Sequence, residues 1–294
     1  MSKTAKCNLK VFLPADLLSA YSSQEQKTVL LGTIARYCAI FKVKDLVFFD
    51  EGDTWKQKAF DIQLLQDVLQ YIATPQYLRR GSFSKVKTLT SAGLLPPLNT
   101  PNHPVEKEPL DIQLEKNDVI FRRGQIENIK ENTTFINIGL DQPLEMAKKP
   151  TWHIGDIVDI RITKNDNKIE TEQVSPEDIP EYWGFTVRYD ERPINEILDE
   201  EKPENYTIAT SKWGIDYRSI SLPEKLEKEP NKRGLSLFFG PREKGLSKLL
   251  GSVDELFKKF DQVINFIPEP GTKSIRLEEA IPIVLALTCA ILSD

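Results

Sequence analysis

Prolines at 96, 97, 101 and 104 crowd the stretch AGLLPPLNTPNHP, Ala92 to Pro104. No helix or sheet ladder runs through such a stretch, because each ring fixes φ and removes a backbone donor. The chain must therefore organise itself separately on either side. Upstream, KVFLP and DLVFFD read as strands with the amphipathic helix QEQKTVLLGTIARYCAIF between them. FDIQLLQDVLQYI repeats the helical period, with Phe60, Leu64, Leu65, Val68 and Ile72 on one face. Strands separated by helices predict a parallel sheet, and the unbroken apolar run of DLVFFD suits a strand covered on both faces. Downstream the period changes. VIFRRGQIENI, TTFINIGL, DIVDIRIT and KIETEQVS are short, alternating, β-branched runs divided by polar turns. They predict a small β-barrel of OB type over residues 105–178. After Pro180 the α/β rhythm resumes with YWGFTVRY, an amphipathic segment from Ile194 to Leu198, and the strands YTIATS, LSLFFG and QVINFIP. Helices are expected over Leu246–Phe260 and Ser274–Leu292. Residues 1–104 and 179–294 thus read as two parts of one α/β domain into which the barrel is inserted.

Composition narrows what such a chain can do. With 294 residues, 40% hydrophobic and 28% charged, it has the make-up of a soluble globular protein with more than one domain. Cys7, Cys38 and Cys289 are far apart, and the two histidines, His103 and His153, form no ligand cluster. Neither a disulfide framework nor a metal site is expected. The N-terminus MSKTAKCNLK lacks an apolar signal core, and the uncharged run Ala280–Leu292 falls short of the roughly 20 residues of a membrane span. The expectation is a soluble intracellular protein with no membrane partner, cytoplasmic if the source is prokaryotic. A net charge of −5 argues against indiscriminate coating of nucleic acid. Locally the balance reverses: RRGSFSKVK, Arg79 to Lys87, is basic with no acidic residue, and Arg122-Arg123 form a second basic pair. Lys148-Lys149 read as solvated surface.

Each late strand runs into a small or Gly-bearing turn: ATSKWG (Ala209–Gly214), FFGPREKGL (Phe238–Leu246) and FIPEPGT (Phe266–Thr272). In a parallel sheet these turns share the C-terminal edge, the usual ligand position in an α/β fold. Gly240 and Gly245 have the spacing of P-loop glycines, but Leu246 and Ser247 follow where that motif demands Lys and then Ser or Thr, so an NTPase is disfavoured. No G-x-G-x-x-G fingerprint is present, which leaves a nucleoside-like ligand held largely by backbone groups.

The series YWGFTVR, YTIATSKWG, LFFGPREKGL and FDQVINFIPEPGTKSIRLEEA resembles the C-terminal half of SPOUT-class RNA methyltransferases. KVFLPADLL, IARYCAIFKVKDLVFFDE, PQYLRRGSF and AGLLPPLNTPNHP resemble the branch of that class with an inserted OB-like domain. The resemblance covers nearly the whole chain in order. It implies an α/β fold whose C-terminal part is a deep trefoil knot on a mainly parallel sheet, S-adenosylmethionine as cofactor, RNA as substrate, and a homodimer through the C-terminal helix. It also implies cofactor contacts at Thr210, Ser211, Gly214, Phe239, Gly240, Gly245, Leu246, Ile267, Pro268, Gly271, Thr272, Ser274 and Ile275. Three positions depart from the family pattern. Ala209 stands where Gly is usual, Pro270 where Gln is usual, and Leu277 where Thr is usual.

Methyl transfer from a sulfonium needs in-line geometry and a nucleophile freed of its proton, and positioning supplies much of the acceleration. An arginine can orient a phosphate or acidify the target base while a carboxylate takes a proton. The candidates are Arg276 with Glu278, then Arg80, with Arg188 as a further possibility. Arg79, Arg80, Lys85, Lys87, Arg122 and Arg123 are the candidate RNA-binding residues, with Phe83 and Phe121 close by for stacking. The competing reading is a non-catalytic RNA-binding or scaffold protein that keeps the fold without using the cofactor, motivated by Ala209 and Pro270.

Overall fold

A computed structural model describes residues 8–293 except 53–54, 106–108, 111–113, 116–117 and 166–167, so Cys7 lies outside the described residues. In chain order the strands are β1 (Asn8–Pro14), β2 (Asp45–Phe49), β3 (Val119–Lys130), β4 (Thr133–Asn137), β5 (Leu144–Ala147), β6 (Ile157–Asn165), β7 (Lys168–Val174), β8 (Thr186–Asp190), β9 (Asn205–Asp216), β10 (Gly234–Phe238) and β11 (Gln262–Asn265). The chain divides into two compact units, one made of Met1–Gln70, Thr88–Pro96 and Phe185–Asp294, the other of Tyr71–Lys87 and Pro97–Gly184.

The first unit is built on a six-stranded sheet in the order β11-β9-β10-β1-β2-β8, with every pairing parallel. Strands covered on both faces must be apolar throughout, and Val11, Phe12, Leu13, Leu237 and Phe238 are fully buried at its centre. Phe12 and Phe238 stack across β1 and β10 with ring centroids 4.1 Å apart. The helix Gln24–Ile40 begins where the Ser23 side chain accepts from the Gln26 N–H, and it buries Leu30, Leu31, Ile34, Ala35 and Cys38. It is tied to the helix Lys58–Ala73 by a buried ion pair, Lys27 Nζ to Asp61 Oδ1 at 2.6 Å, while Trp55 Nε1 donates to the second Asp61 oxygen at 3.0 Å.

Two expectations about helices need correction. The single helix expected over Leu246–Phe260 is two, Gly245–Leu249 and Val253–Lys259. Gly251 takes a φ of 99°, which ends the first, and the Ser252 hydroxyl accepts from the Glu255 N–H to start the second. The last helix spans Leu277–Ser293, starting later than Ser274, with Pro282 inside its second turn. That proline withholds the N–H that would bond the Glu278 carbonyl. No described helix is long and apolar enough to cross a membrane, and no group of ligating side chains among the described residues is arranged to hold a metal ion.

The second unit carries an antiparallel sheet in the order β5-β4-β3-β6-β7. Ile126, Ile136, Ile138, Trp152, Val158, Ile160 and Ile162 form its core, the inward set that alternation along each strand requires. Gly124 on β3 is needed because a Cβ there would lie 2.6 Å from the Ile136 side chain. The sheet is a near-barrel: Lys149 Nζ and Trp152 Nε1, which follow β5, both donate to Gln173 Oε1 on β7, at 2.9 and 3.2 Å.

Candidate functional site

Because all six strands of the first unit are parallel, the segments leaving β1, β2, β9, β10 and β11 emerge at one edge. The first of the three expected loops is not a turn. β9 continues through Ala209–Gly214 to Asp216, and its pairing with β11 jumps from Ala209↔Val263 to Ile215↔Ile264. Thr210 through Gly214 therefore bulge from the ladder with no register partner on β11. The bulge re-enters at Gly214, where a Cβ would lie 2.5 Å from the backbone N and C of Ile264. Glycine is required there by backbone meeting backbone.

Side chains lock this bulge to the other two loops. Thr210 Oγ1 donates to the Phe238 carbonyl at 3.0 Å, tying it to the end of β10. Asn265 Nδ2 donates to the Lys212 carbonyl at 3.4 Å while Asn265 Oδ1 accepts from the Ile267 N–H at 3.1 Å, tying it to the loop after β11. The second loop closes on itself through Gly245 N–H to the Pro241 carbonyl at 2.8 Å, with Gly245 at a φ of 61°. Gly240 lies so close to this turn that a Cβ would meet the Leu246 nitrogen at 2.5 Å.

The expected cofactor residues divide by exposure. Phe239 and Leu246 bury their side chains, so only their backbone can face a ligand. Thr210, Ser211, Gly214, Gly240, Gly245, Ile267, Pro268 and Ile275 are half-buried, and Gly271, Thr272 and Ser274 are exposed. Thr272 Oγ1 donates to the Ser274 carbonyl at 3.0 Å and folds the third loop back. A Cβ at Gly271 would meet nothing within 4 Å, so this exposed position of the third loop has room for a side chain, whereas Gly240 in the second has none. Ala209 packs into the core with Phe238, Leu246 and Val263, a role that a methyl group fills. Pro270 is exposed beside Gly271.

The candidate catalytic pair sits at the start of the last helix. The exposed Arg276 presents its guanidinium 3.9 Å from Glu278, and its N–H donates to Glu279 Oε2 at 2.9 Å, which satisfies one orphan donor of the first turn. Glu278 accepts a 2.6 Å hydrogen bond from the hydroxyl of Tyr21, a residue that motif reading missed because it lies just past the 3-10 segment Ala15–Ala20 after β1. Burial and the Glu278 carboxylate push the Tyr21 phenol up to about 12, against the pull of Arg276 and of Arg242 in the second loop. Tyr21 and Glu278 line one groove of about 530 Å³ together with Glu25, Val29, Leu30, Tyr37 and Pro282. Arg188 lies on β8, 3.5 Å from Asp190 and 3.9 Å from Glu201, in an ion-pair network.

In the second unit, the basic residues fall into two groups. Arg79 donates to the Thr74 carbonyl at 2.9 Å and the Ile72 carbonyl at 3.2 Å and lies over the Tyr71 ring, so it caps the end of the helix Lys58–Ala73. Arg122 is buried at 4% exposure. Arg123 forms a fork with both Asp159 oxygens, at 2.8 and 3.0 Å, and Trp183 Nε1 donates to the same carboxylate at 2.7 Å. Arg80, Lys85 and Lys87 are exposed. Phe83 packs edge-on against Tyr71 and Phe121 against Trp183, and both rings are half-buried.

Comparison with known proteins places this arrangement. A family model described as "Putative RNA methyltransferase" matches residues 8–288. The 28S rRNA (uridine-N(3))-methyltransferase of Homo sapiens is 31% identical over 95% of this chain and 77% of its own length. The Drosophila melanogaster protein of the same name is 27% identical over 95% of this chain and 61% of its own length. An uncharacterised protein of Halobacterium salinarum is 26% identical over 92% and 95%. In three dimensions, an AdoMet-bound rRNA methyltransferase from Sinorhizobium meliloti aligns at a TM-score of 0.35 and 11% identity over 96% of this chain and 55% of that one, a likeness too slight to argue from. With its model matching nearly the full length, the chain belongs to this RNA methyltransferase family.

Proposed function

We propose that the chain transfers a methyl group from S-adenosylmethionine to N3 of a uridine in a structured RNA, ribosomal RNA being the class on which its named relatives act. The observation that carries this reading is the bulge Thr210–Gly214 tied to the loops after β10 and β11, with a closed backbone wall at Gly240 and open space at Gly271. Such loops suit a nucleoside held by backbone groups; Ala209 packs in the core, and Pro270 offers the third loop no backbone donor. When bound, the cofactor supplies an electrophilic methyl carbon. The chain holds and orients: Thr210 and Asn265 fix the loops, Arg276 stands ready for a phosphate or for charge developing on the base, and Glu278 accepts a proton. The position of β9 between β10 and β11, with the last helix following β11, supports a knotted C-terminal part, and the strand order of the second unit supports an OB-type barrel. We assign RNA contact to Arg80, Lys85 and Lys87, and a homodimer interface to the stripe Ile283, Ala286 and Ala290, which the last helix leaves exposed.

Calorimetric titration with S-adenosylhomocysteine tests the cradle, and digestion of rRNA transcripts after incubation with labelled cofactor tests the reaction. Micromolar binding and labelled 3-methyluridine are expected. Failure of a folded protein to bind would favour a scaffold, and label at another atom would refute the N3 assignment.

A further inference from the structure

We infer that Tyr21 is a catalytic residue of this methyl transfer, taking the N3 proton of the target uridine on its phenolic oxygen while handing its own proton to Glu278. The inference rests on the N3 reading above. Its geometry is independent of any motif: Tyr21 follows β1, Glu278 opens the last helix, and their side chains meet at 2.6 Å on the wall of a groove large enough for a nucleotide. Val29, Leu30 and Pro282 give that groove an apolar surface against which a base can lie, and the Tyr21–Glu278 pair is a polar contact able to read the hydrogen-bonding edge of the base. Because the Tyr21 hydroxyl already donates to Glu278, the phenolic lone pairs remain to accept from an N–H donor. Uridine presents such a donor at N3, and a cytidine, whose N3 carries no hydrogen, does not.

The step balances as follows. The N3–H bond breaks and its proton joins the Tyr21 oxygen, while the phenol's former proton joins Glu278. The N3 electron pair forms the bond to the methyl carbon, and the sulfonium carbon–sulfur bond breaks with its pair left on sulfur. Tyr21 ends neutral and Glu278 ends protonated. The charged groups around the phenol suit this. Glu278 is the acceptor, and the Arg276 guanidinium, 3.9 Å from it, and Arg242 are the cations that act on the phenol. Of the other carboxylates on the groove, Glu279 is engaged by the Arg276 N–H and Glu25 is exposed at the start of its helix. A phenol held neutral well above physiological pH remains a relay throughout the working range.

The test uses the full chain and an rRNA transcript that it methylates, in single turnover across pH. Tyr21→Phe and the isosteric Glu278→Gln are each expected to slow methylation about 100-fold or more near neutral pH, the scale of a lost proton transfer. Their rates should climb with unit slope as pH rises toward unaided ionisation of the base, where the wild-type rate is flat. A second measurement needs no turnover. In the presence of S-adenosylhomocysteine, wild type should bind the transcript about threefold to tenfold better with uridine than with 3-deazauridine at the target, the scale of one hydrogen bond, and Tyr21→Phe should lose that preference. Rates within threefold of wild type with an unchanged pH profile in both variants, or an undiminished preference in Tyr21→Phe, would overturn the inference alone. Absence of 3-methyluridine with wild type would instead overturn the underlying reading and this inference with it.

Discussion

Gly240→Ala and Gly271→Val form a pair that separates what the glycines of the cradle do. At Gly240 a Cβ would sit 2.5 Å from the Leu246 nitrogen and 2.8 Å from Gly245 Cα, where ordinary contact begins at 3.4 Å. The neighbours are backbone, so the second loop must move by about 0.9 Å, the difference between 3.4 and 2.5 Å, and no rotamer change relieves it. Overpacking of this size costs about 1–3 kcal/mol. At about 2–4 °C per kcal/mol for a domain of 150–250 residues, this lowers the melting temperature by about 2–12 °C. Gly271 differs: its added Cβ meets nothing within 4 Å, and its φ lies outside the left-handed region, so the chain itself tolerates a side chain there. Gly271→Val is therefore expected to melt within about 1 °C of wild type yet to bind S-adenosylhomocysteine at least tenfold more weakly, about 1.4 kcal/mol, because the valine occupies the space assigned to the ligand. Differential scanning fluorimetry and calorimetric titration on the same preparations read both quantities. If Gly271→Val binds as wild type does, or Gly240→Ala melts as wild type does, the cradle is misplaced.

Other predictions follow from the buried charges and the helix end. Asp61→Asn and Lys27→Met should each cost about 3–5 kcal/mol in urea unfolding, since either strands a charge buried at 0–5% exposure, whereas Lys27→Met with Asp61→Leu should recover most of the loss; additive costs would refute the pairing. Glu51 is pushed up to about 7 by burial and by the charges of Asp16 and Asp50, against the pull of Lys58. Its folded value is raised, so the stability it contributes is full below about pH 4.5 and is lost as pH rises to about 7. Relative to wild type, Glu51→Gln should gain on the order of 2 kcal/mol between pH 4.5 and 8, and an offset constant with pH would count against the assignment. Arg79→Ala should destabilise by about 1–2 kcal/mol through the uncapped carbonyls of Ile72 and Thr74. Arg80→Ala should leave stability unchanged while lowering RNA affinity and flattening its salt slope by about 1, and equal effects of the two substitutions on RNA would reverse this division.

Local rules, acting through neighbours in sequence, were enough to read the strands of the parallel sheet, the amphipathic helices and the alternating strands after the proline break. Unbroken apolar runs and period-two alternation depend on which faces are covered, a property carried residue by residue. The loop motifs likewise carried the family resemblance. What failed locally failed for identifiable reasons. The helix break at Gly251 was set by one residue's φ, and the strand Leu144–Ala147 is too short to show a period. Arg122 and Arg123 look alike in sequence, yet pairing of β3 with β6 buries one and hands the other to Asp159. Arg79 donates to the Thr74 and Ile72 carbonyls, acceptors that exist as a helix end only once the helix has formed. The bulge Thr210–Gly214 has no signature of its own, because it is defined by where β11 resumes pairing. Tyr21 and Glu278 stand 257 residues apart, and no spacing rule links them. Their meeting is decided by parallel strands delivering the end of β1 and the loop after β11 to the same edge of one sheet.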